Sequence, residues 1–155
     1  MEGSVTMGML VNVVVADVED AGAILESSKP IEEWKGFEAR GLDQAKFAML
    51  HALLTGELFD EALDECGPLH AAYEEGPWLM QLPGETVQRL ARLEEEAIEQ
   101  VGEELAATEA FEADGWPADE VGNLVIELAD LAGVARAQGR AMFVWMLSDE
   151  AAASS

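Results

Sequence analysis

Residues 141 to 147, AMFVWML, are the most informative stretch for the fold, because they are apolar at every position. A strand with one face in water alternates apolar and polar residues, so this run predicts a central strand covered on both sides. Residues 9 to 16, MLVNVVVA, predict a second, largely buried strand, and residues 77 to 82, PWLMQL, predict a third. We therefore expect a small central sheet of about three or more strands.

Helical spacing of apolar residues accounts for most of the remaining chain. The clearest example starts near Asp119 and ends at Gly139, a residue type typical of helix ends. The segment from residue 85 to about residue 110 also has a helical period, but its length and Gly102 predict two helices or a bend. Five or six helices that cover a small sheet predict an α+β fold.

The segment from residue 28 to residue 41, SKPIEEWKGFEARG, is harder to assign. One proline, two glycines and the lack of a sustained period favour an exposed connection or one short turn of helix. Trp34 and Phe37 within it should then pack beneath the connection or lie in a surface groove.

The length of 155 residues is typical of one domain with its own core. We expect that domain to span residues 7–148, with residues 1–6 as an extension or an alternative start. Residues 149–155 are small and polar, and they predict a frayed tail.

Charge is the most unusual property of the composition. The chain has 32 acidic and 8 basic residues, which gives a formal net charge of -24. Such a field repels nucleic acid and anionic membrane surfaces, and it attracts a basic partner. Solubility, or adaptation to a salt-rich or acid-rich proteome, is the other interpretation, because runs of charge usually form solvated faces.

The cysteine count and the hydropathy pattern indicate the cellular compartment of the chain. Cys66 is the only cysteine, so no internal disulfide can form and a reducing compartment is expected. No run approaches the roughly 18 apolar residues of a membrane span, and the start MEGSVTMGML has no basic segment before its apolar residues. These patterns predict a cytoplasmic protein.

Residues 41 to 56, GLDQAKFAMLHALLTG, form the most distinctive helix signal. Asp43 is a favourable N-cap residue, and Gly56 stands where a left-handed residue ends a helix. The apolar residues between them are spread over a broad face, so the helix should be mostly buried. His51 lies in the second half of this helix.

The order of these signals resembles the YfbM-like family of bacterial proteins of unknown function. The resemblance covers nearly the whole chain from residue 7 onward, and the helix motif His-x-Leu-Leu-Thr-Gly is its most specific part. The residues that carry it are Met7, Gly8, Met9, Phe47, Leu50, His51, Leu53, Leu54, Thr55, Gly56, Gly76, Pro77 and residues 141–146. The resemblance implies an α+β domain without an established activity.

This chain departs from the family pattern just before that motif. Lys46 is displaced from the usual position, Phe47 replaces a tryptophan, and Ala48 stands where a first histidine is common. A paired-histidine site is therefore not expected here.

His51 has two interpretations. It shares a helical face with Phe47 and Thr55, where a carboxylate from another segment could orient its ring for general-base chemistry. With a pocket beside it, the chain would be a small-molecule enzyme or a ligand-binding domain. The structural interpretation, a buried histidine bonded to a carbonyl or carboxylate, is favoured because no second catalytic residue type is spaced to support catalysis.

Cys66 and His70 form a Cys-x3-His spacing across CGPLH. A zinc site needs more ligands and a thiolate nucleophile needs a histidine within hydrogen-bonding reach, yet the chain has no further cysteine. We therefore predict neither a metal site nor a catalytic residue here. The chain also lacks a phosphate-binding glycine loop, and no cofactor is expected.

Trp34, Phe37, Trp78 and Trp116 all fall in or beside predicted loops. Each is interpreted first as an anchor at the edge of the core. If two or more of them lined one groove, a protein or peptide partner would be the better interpretation, and a homo-oligomer that uses these loops is a further alternative.

These patterns together favour a non-enzymatic, cytoplasmic protein-binding domain. An immunity or antitoxin-like role, in which an acidic surface covers the cationic cleft of a basic toxin, is the most concrete form of this hypothesis. Neither nucleic acid nor a membrane is expected as a partner.

Overall fold

The computed structural model describes residues 9–66, 70–71 and 77–148. In this part of the chain, five strands form one antiparallel sheet in the order β2-β1-β5-β4-β3. The strands are β1 (Met9–Ala16), β2 (Gly36–Arg40), β3 (His70–Ala71), β4 (Trp78–Gln81) and β5 (Ala141–Ser148). The expected extension at residues 1–6 and the expected tail at residues 149–155 lie outside the described residues.

Seven α-helices and two short 3-10 turns, Val18–Asp20 and Pro30–Glu32, occur in the described ranges. The helices are α1 (Ala21–Glu26), α2 (Gln44–Thr55), α3 (Phe59–Cys66), α4 (Gly84–Arg92), α5 (Glu95–Ala106), α6 (Glu109–Glu112) and α7 (Ala118–Gln138). The predicted α+β class is confirmed. The helix count exceeds the expected five or six because the segment after residue 84 divides into α4, α5 and the four-residue α6. None of the helices described is both long enough and apolar enough to cross a membrane.

Strand β5 is the central strand, as its apolar sequence predicts. It lies between β1 and β4, and its pairing with β1 runs from Met9 opposite Ser148 to Ala16 opposite Ala141. Alternate residues of β5 enter two separate cores: Val144 lies in one and Trp145 in the other. An apolar residue is therefore needed at every position, because neither face of the strand meets water.

The two faces of the sheet have unequal cover. Helices α2 to α7 contribute to the main core on one face, which includes Val13, Met80 and Leu128. On the other face, α1 and the turn at Pro30–Glu32 cover a smaller core that includes Ile24 and Trp145. Most of the helical mass therefore lies on one side of the sheet.

The interpretation of residues 28–41 as a connection or one turn of helix is wrong for its second half. A 3-10 turn does occur at Pro30–Glu32, but Gly36–Arg40 forms the edge strand β2 and pairs with β1. The pairing requires a glycine, since a Cβ atom on Gly36 would lie 1.9 Å from the carbonyl oxygen of Val13. An edge strand has only one paired neighbour and alternates exposed with half-buried residues, so it lacks the apolar run that identifies β5.

Helices α5 and α7 cross at a pair of glycines. A Cβ atom on Gly102 would lie 2.9 Å from the Cα atom of Gly122, so the two backbones are in direct contact. The break that Gly102 and the segment's length predicted is present, but it falls at residues 93–94, between α4 and α5. Gly102 itself lies within α5, where its missing side chain allows α7 to approach closely.

Candidate functional site

Helix α2 positions the most conspicuous polar residue of the core, His51. The helix begins where Asp43 Oδ1 accepts a hydrogen bond of 2.9 Å from the backbone N–H of Lys46. It ends where Gly56 adopts a left-handed conformation with φ of 81° and donates its N–H to Ala52. Both the predicted cap and the predicted stop are confirmed, and they fix the register of the helix around His51.

The imidazole of His51 is fully buried and has a partner on each nitrogen. Nδ1 lies 2.5 Å from the hydroxyl of Thr86 in α4. Nε2 lies 3.2 Å from Oε2 of Glu57, which follows the end of α2. The Thr86 side chain is also fully buried, whereas 29% of the Glu57 side chain is exposed. We call Glu57, His51 and Thr86 the buried polar chain.

Thr55 holds the segment that carries Glu57. Its hydroxyl donates a 2.8 Å hydrogen bond to the backbone carbonyl of His51 and accepts a 3.3 Å hydrogen bond from the N–H of Glu57. The turn after α2 is therefore folded so that the Glu57 carboxylate reaches back to the ring of His51. Thr55 acts on the site through the backbone and does not contact the imidazole.

The order carboxylate, imidazole, hydroxyl is the one that nucleophilic hydrolases require. In such an arrangement the hydroxyl can pass its proton to the ring. The tautomer with its hydrogen on Nε2 satisfies both contacts, because the Glu57 carboxylate accepts from Nε2–H and the Thr86 hydroxyl donates to Nδ1. A substrate, however, cannot reach Thr86 or His51 while both are buried. In the described conformation, the buried polar chain joins α2, α4 and the turn between α2 and α3.

Two cavities are lined in part by α2, and neither has His51 in its wall. One is a small apolar cavity beside Lys46, Phe47 and Leu50. The other is an open groove of about 330 Å³ between α2 and α4, lined by Leu54, Glu85, Gln88, Arg89, Arg92 and Leu93. The groove lies beside the buried polar chain but is separated from the imidazole.

Lys46 is a second buried polar residue of α2. Only 2% of its side chain is exposed, and its ammonium group forms ion pairs with Asp114 and, at 3.5 Å, with Asp43. It also lies 5.7 Å from the centre of the Phe111 ring, within the range of a cation–π interaction. Lys46 therefore ties α2 to the segment around α6.

Cys66 ends α3 with a buried side chain. Burial, together with the negative charges of Glu65 and Glu57, raises the pKa of its thiol to about 11, so the reactive thiolate is disfavoured at neutral pH. The backbone of His70 lies in β3, and its side chain lies outside the described residues. In the described part of the chain, no three histidine, cysteine or carboxylate side chains are arranged to hold a metal ion.

The aromatic candidates are divided between the two faces of the sheet. Trp34 packs against the smaller core, whereas Phe37 and Trp116 pack against the main core. The Trp116 ring meets the ring of Phe111 edge to face, with centroids 5.4 Å apart. Trp78 is half-buried in β4. Trp34 therefore shares no groove with Phe37 or Trp116.

Four residues of these polar contacts were missed by sequence reasoning: Glu57, Thr86, Lys46 and Asp114. Glu57 could have been noticed, because it directly follows the Gly56 stop and lies six residues from His51. Thr86 and Asp114 lie 35 and 68 residues from their partners, and no local pattern signals such pairs.

No protein-family model, curated protein or solved structure matches this chain. The resemblance to the YfbM-like family therefore stays a prediction, and the geometry and charge of the chain itself are what indicate a function.

Proposed function

We propose that this chain binds a basic protein partner through an acidic surface formed by α5, α6 and α7. The observation that supports the proposal is the distribution of charge between Arg92 and Arg136, where the sequence has no lysine or arginine. All 13 carboxylate residues in this interval are exposed. They are Glu94, Glu95, Glu96, Glu99, Glu103, Glu104, Glu109, Glu112, Asp114, Asp119, Glu120, Glu127 and Asp130. We call these 13 residues the acidic helical surface.

Little in the described structure neutralises this surface. Asp114 pairs with Lys46, and Glu104 accepts a hydrogen bond from the neutral amide of Gln100. The close crossing at Gly102 and Gly122 brings α5 and α7 together, so two helices that carry exposed carboxylates and no lysine or arginine before Arg136 lie side by side. A protein gains nothing for its own stability from such an arrangement, whereas a cationic partner would relieve the repulsion.

Charge complementarity would give such a complex a fast, salt-dependent association. A field of one sign steers an oppositely charged protein and raises the association rate, and salt screens the effect. An immunity or antitoxin-like role fits this chemistry, since a nuclease or another basic toxin has a cationic cleft that an acidic protein can cover. A cytoplasmic location and membership of the YfbM-like family belong to the same proposal, and both are supported only by the sequence.

The test compares two triple variants that change charge equally. The first, Glu99→Gln with Glu103→Gln and Glu127→Gln, removes three charges from the acidic helical surface. The second, Asp60→Asn with Asp64→Asn and Glu65→Gln, removes three charges from α3 and serves as the control. Binding of a basic protein encoded beside this gene is measured by surface plasmon resonance at several NaCl concentrations.

We expect the first variant to associate at least about tenfold more slowly, and the control to associate at nearly the wild-type rate. Equal losses in both variants would mean that net charge alone acts, as a salt-adapted proteome would require. An absence of any salt-sensitive complex with the neighbouring gene product would contradict the proposal.

The order of the buried polar chain favours a second candidate, a hydrolytic enzyme with Thr86 as nucleophile and His51 as base. This activity would require α2 and α4 to separate so that a substrate could reach the hydroxyl. A Glu57→Gln variant should then lower the hydrolysis of an activated ester by at least about a hundredfold while the chain stays folded. A wild-type protein that does not hydrolyse such esters above the buffer rate would rule the candidate out.

A further inference from the structure

The groove between α2 and α4 differs in charge from the rest of the molecule. Two of the eight basic residues of the chain, Arg89 and Arg92, line it within one helical turn of each other. The groove contains one carboxylate, Glu85, which Arg89 binds with Nε and Nη2, each at 3.0 Å from Oε2. This local pair cancels the charge of Glu85 and leaves Arg92 as the net charge of the groove.

Arg92 has no ion pair or hydrogen bond with any described residue, although the chain has 32 acidic residues. A guanidinium group has five N–H donors in a planar fork that matches a carboxylate or a phosphate. Gln88, one turn before Arg92 on α4, adds an amide donor to the same wall. The polar side of the groove thus offers unused donors to an anion.

The remaining wall of the groove is apolar. Leu54 from α2 and Leu93 from the end of α4 line it, and both side chains are half-buried. The volume of about 330 Å³ lies at the lower end of the range for small-molecule sites. A ligand whose alkyl group packs on Leu54 and Leu93 and whose anionic head binds Arg92 would match both walls of the groove.

We propose that this groove binds a small organic anion with an apolar tail, in which a carboxylate or phosphate contacts Arg92 and the tail packs on Leu54 and Leu93. The site is distinct from the acidic helical surface and does not depend on the proposed protein partner. It lies beside the buried polar chain, since Leu54 follows His51 by three residues on α2 and Arg89 follows Thr86 by three on α4. At physiological salt the Debye length is about 8 Å, so carboxylates farther away than this are screened, and the affinity depends on nearby charges, which include Glu94 directly after Leu93.

The test uses calorimetric titration of the whole chain in about 0.15 M NaCl with four probes: octanoate, acetate, inorganic phosphate and octylammonium. We expect octanoate to bind with one site and a Kd below about 1 mM. Acetate and phosphate should bind at least about tenfold more weakly, because they lack the tail. Octylammonium should not bind, because Arg92 repels it. Weaker binding of octanoate than of phosphate would contradict the apolar wall, and binding of octylammonium as tight as that of octanoate would contradict the cationic wall.

Variants locate the site. Arg92→Gln should weaken octanoate binding about tenfold, since it removes a charge-assisted hydrogen bond. Arg136→Gln, at an exposed arginine near the end of α7, is the matched control and should bind like the wild type. In methyl NMR spectra, octanoate should shift the signals of Leu54 and Leu93. Equal affinity of the Arg92 variant and the control, or binding without a shift of these methyl signals, would overturn the proposal.

Discussion

The polar side chains of α2 and those of the acidic helical surface differ in burial and in partners. Lys46 and His51 are buried on α2, and each contacts groups from segments far away in the sequence. The carboxylates between Arg92 and Arg136 are exposed, and one of them, Asp114, forms an ion pair with Lys46. Asp114 belongs to both regions.

This difference shows where the chain uses charge for its own fold. A buried ion or hydrogen-bonding group must be matched, because an unpaired one in the interior costs several kcal/mol or a shifted protonation state. An exposed carboxylate remains hydrated and needs no partner. The contacts of α2 therefore fix the internal arrangement, and the unmatched charges are available to another molecule.

Reversing the buried charge should have the largest effect. Lys46→Glu places a carboxylate beside Asp43 and Asp114, and it should lower the free energy of unfolding by about 3–5 kcal/mol in urea denaturation. Lys46→Met is the matched control: it keeps a long side chain, and both aspartates are about half exposed and can be hydrated. The control should lose less than about 1.5 kcal/mol. Equal losses would mean that packing of the stem, and not the charge, is what α2 requires.

A double-mutant cycle can measure how much the hydrogen bond between His51 and Thr86 contributes to the free energy of unfolding. His51→Leu and Thr86→Val each leave one buried polar atom without its partner, at a cost of about 1–3 kcal/mol in the free energy of unfolding. The double variant should cost about 1–2 kcal/mol less than the sum of the two, because neither unpaired atom remains. Strict additivity in urea denaturation would show that the 2.5 Å contact adds nothing to stability.

The glycine crossing tests what brings the acidic helices together. Gly102→Ala should lower the free energy of unfolding by about 1–3 kcal/mol, because the new Cβ atom would meet the α7 backbone. Gly122→Ala is the control at the same crossing. A Cβ atom there meets no atom within 4 Å, so the higher helix propensity of alanine should leave stability unchanged or raise it by up to about 1 kcal/mol. Thermal unfolding of both variants measures the two effects, and a greater loss of stability in the Gly122 variant would contradict the described crossing.

Salt should have the smallest effect, and with a sign opposite to that of an ion-paired surface. Raising NaCl from about 0.05 M to about 0.5 M should raise the Tm by a few degrees, because it screens repulsion among the exposed carboxylates. The variant with Glu99, Glu103 and Glu127 changed to glutamine should have a higher Tm at low salt and a smaller rise. A Tm that falls with salt would mean that attractive ion pairs dominate at the surface. The exposed carboxylates would then be paired, as the buried groups of α2 are.

Much of the fold could be predicted because its signals are local. Asp43 caps α2 and Gly56 ends it, and both effects involve residues within a few positions in the sequence. The apolar residues of α7 and β5 repeat with the period of a helix or without interruption, so their burial follows from the pattern alone. Strand β2 was missed because Gly36–Arg40 depends on its neighbour β1 for its hydrogen bonds and has no such pattern.

The candidate site was only partly predictable. His51 stood out in the sequence, and its buried position agrees with the structural interpretation, but the hydroxyl of Thr86 comes from another helix. The groove beside it combines Leu54 with Arg92, which lie on α2 and α4 and share no sequence motif. Helix packing brings these groups together.

By itself, the sequence determined the local elements, the central position of β5 and the excess of negative charge, because periodicity, caps and composition act over short distances or as sums. Tertiary packing buries Lys46 against Asp114, joins Glu57 to Thr86 through His51, and places Arg92 in a groove whose lining has two arginines and one carboxylate. The reason is physical: hydrogen bonds and ion pairs act over a few ångströms in space, and the distance along the chain between their partners is set by the fold.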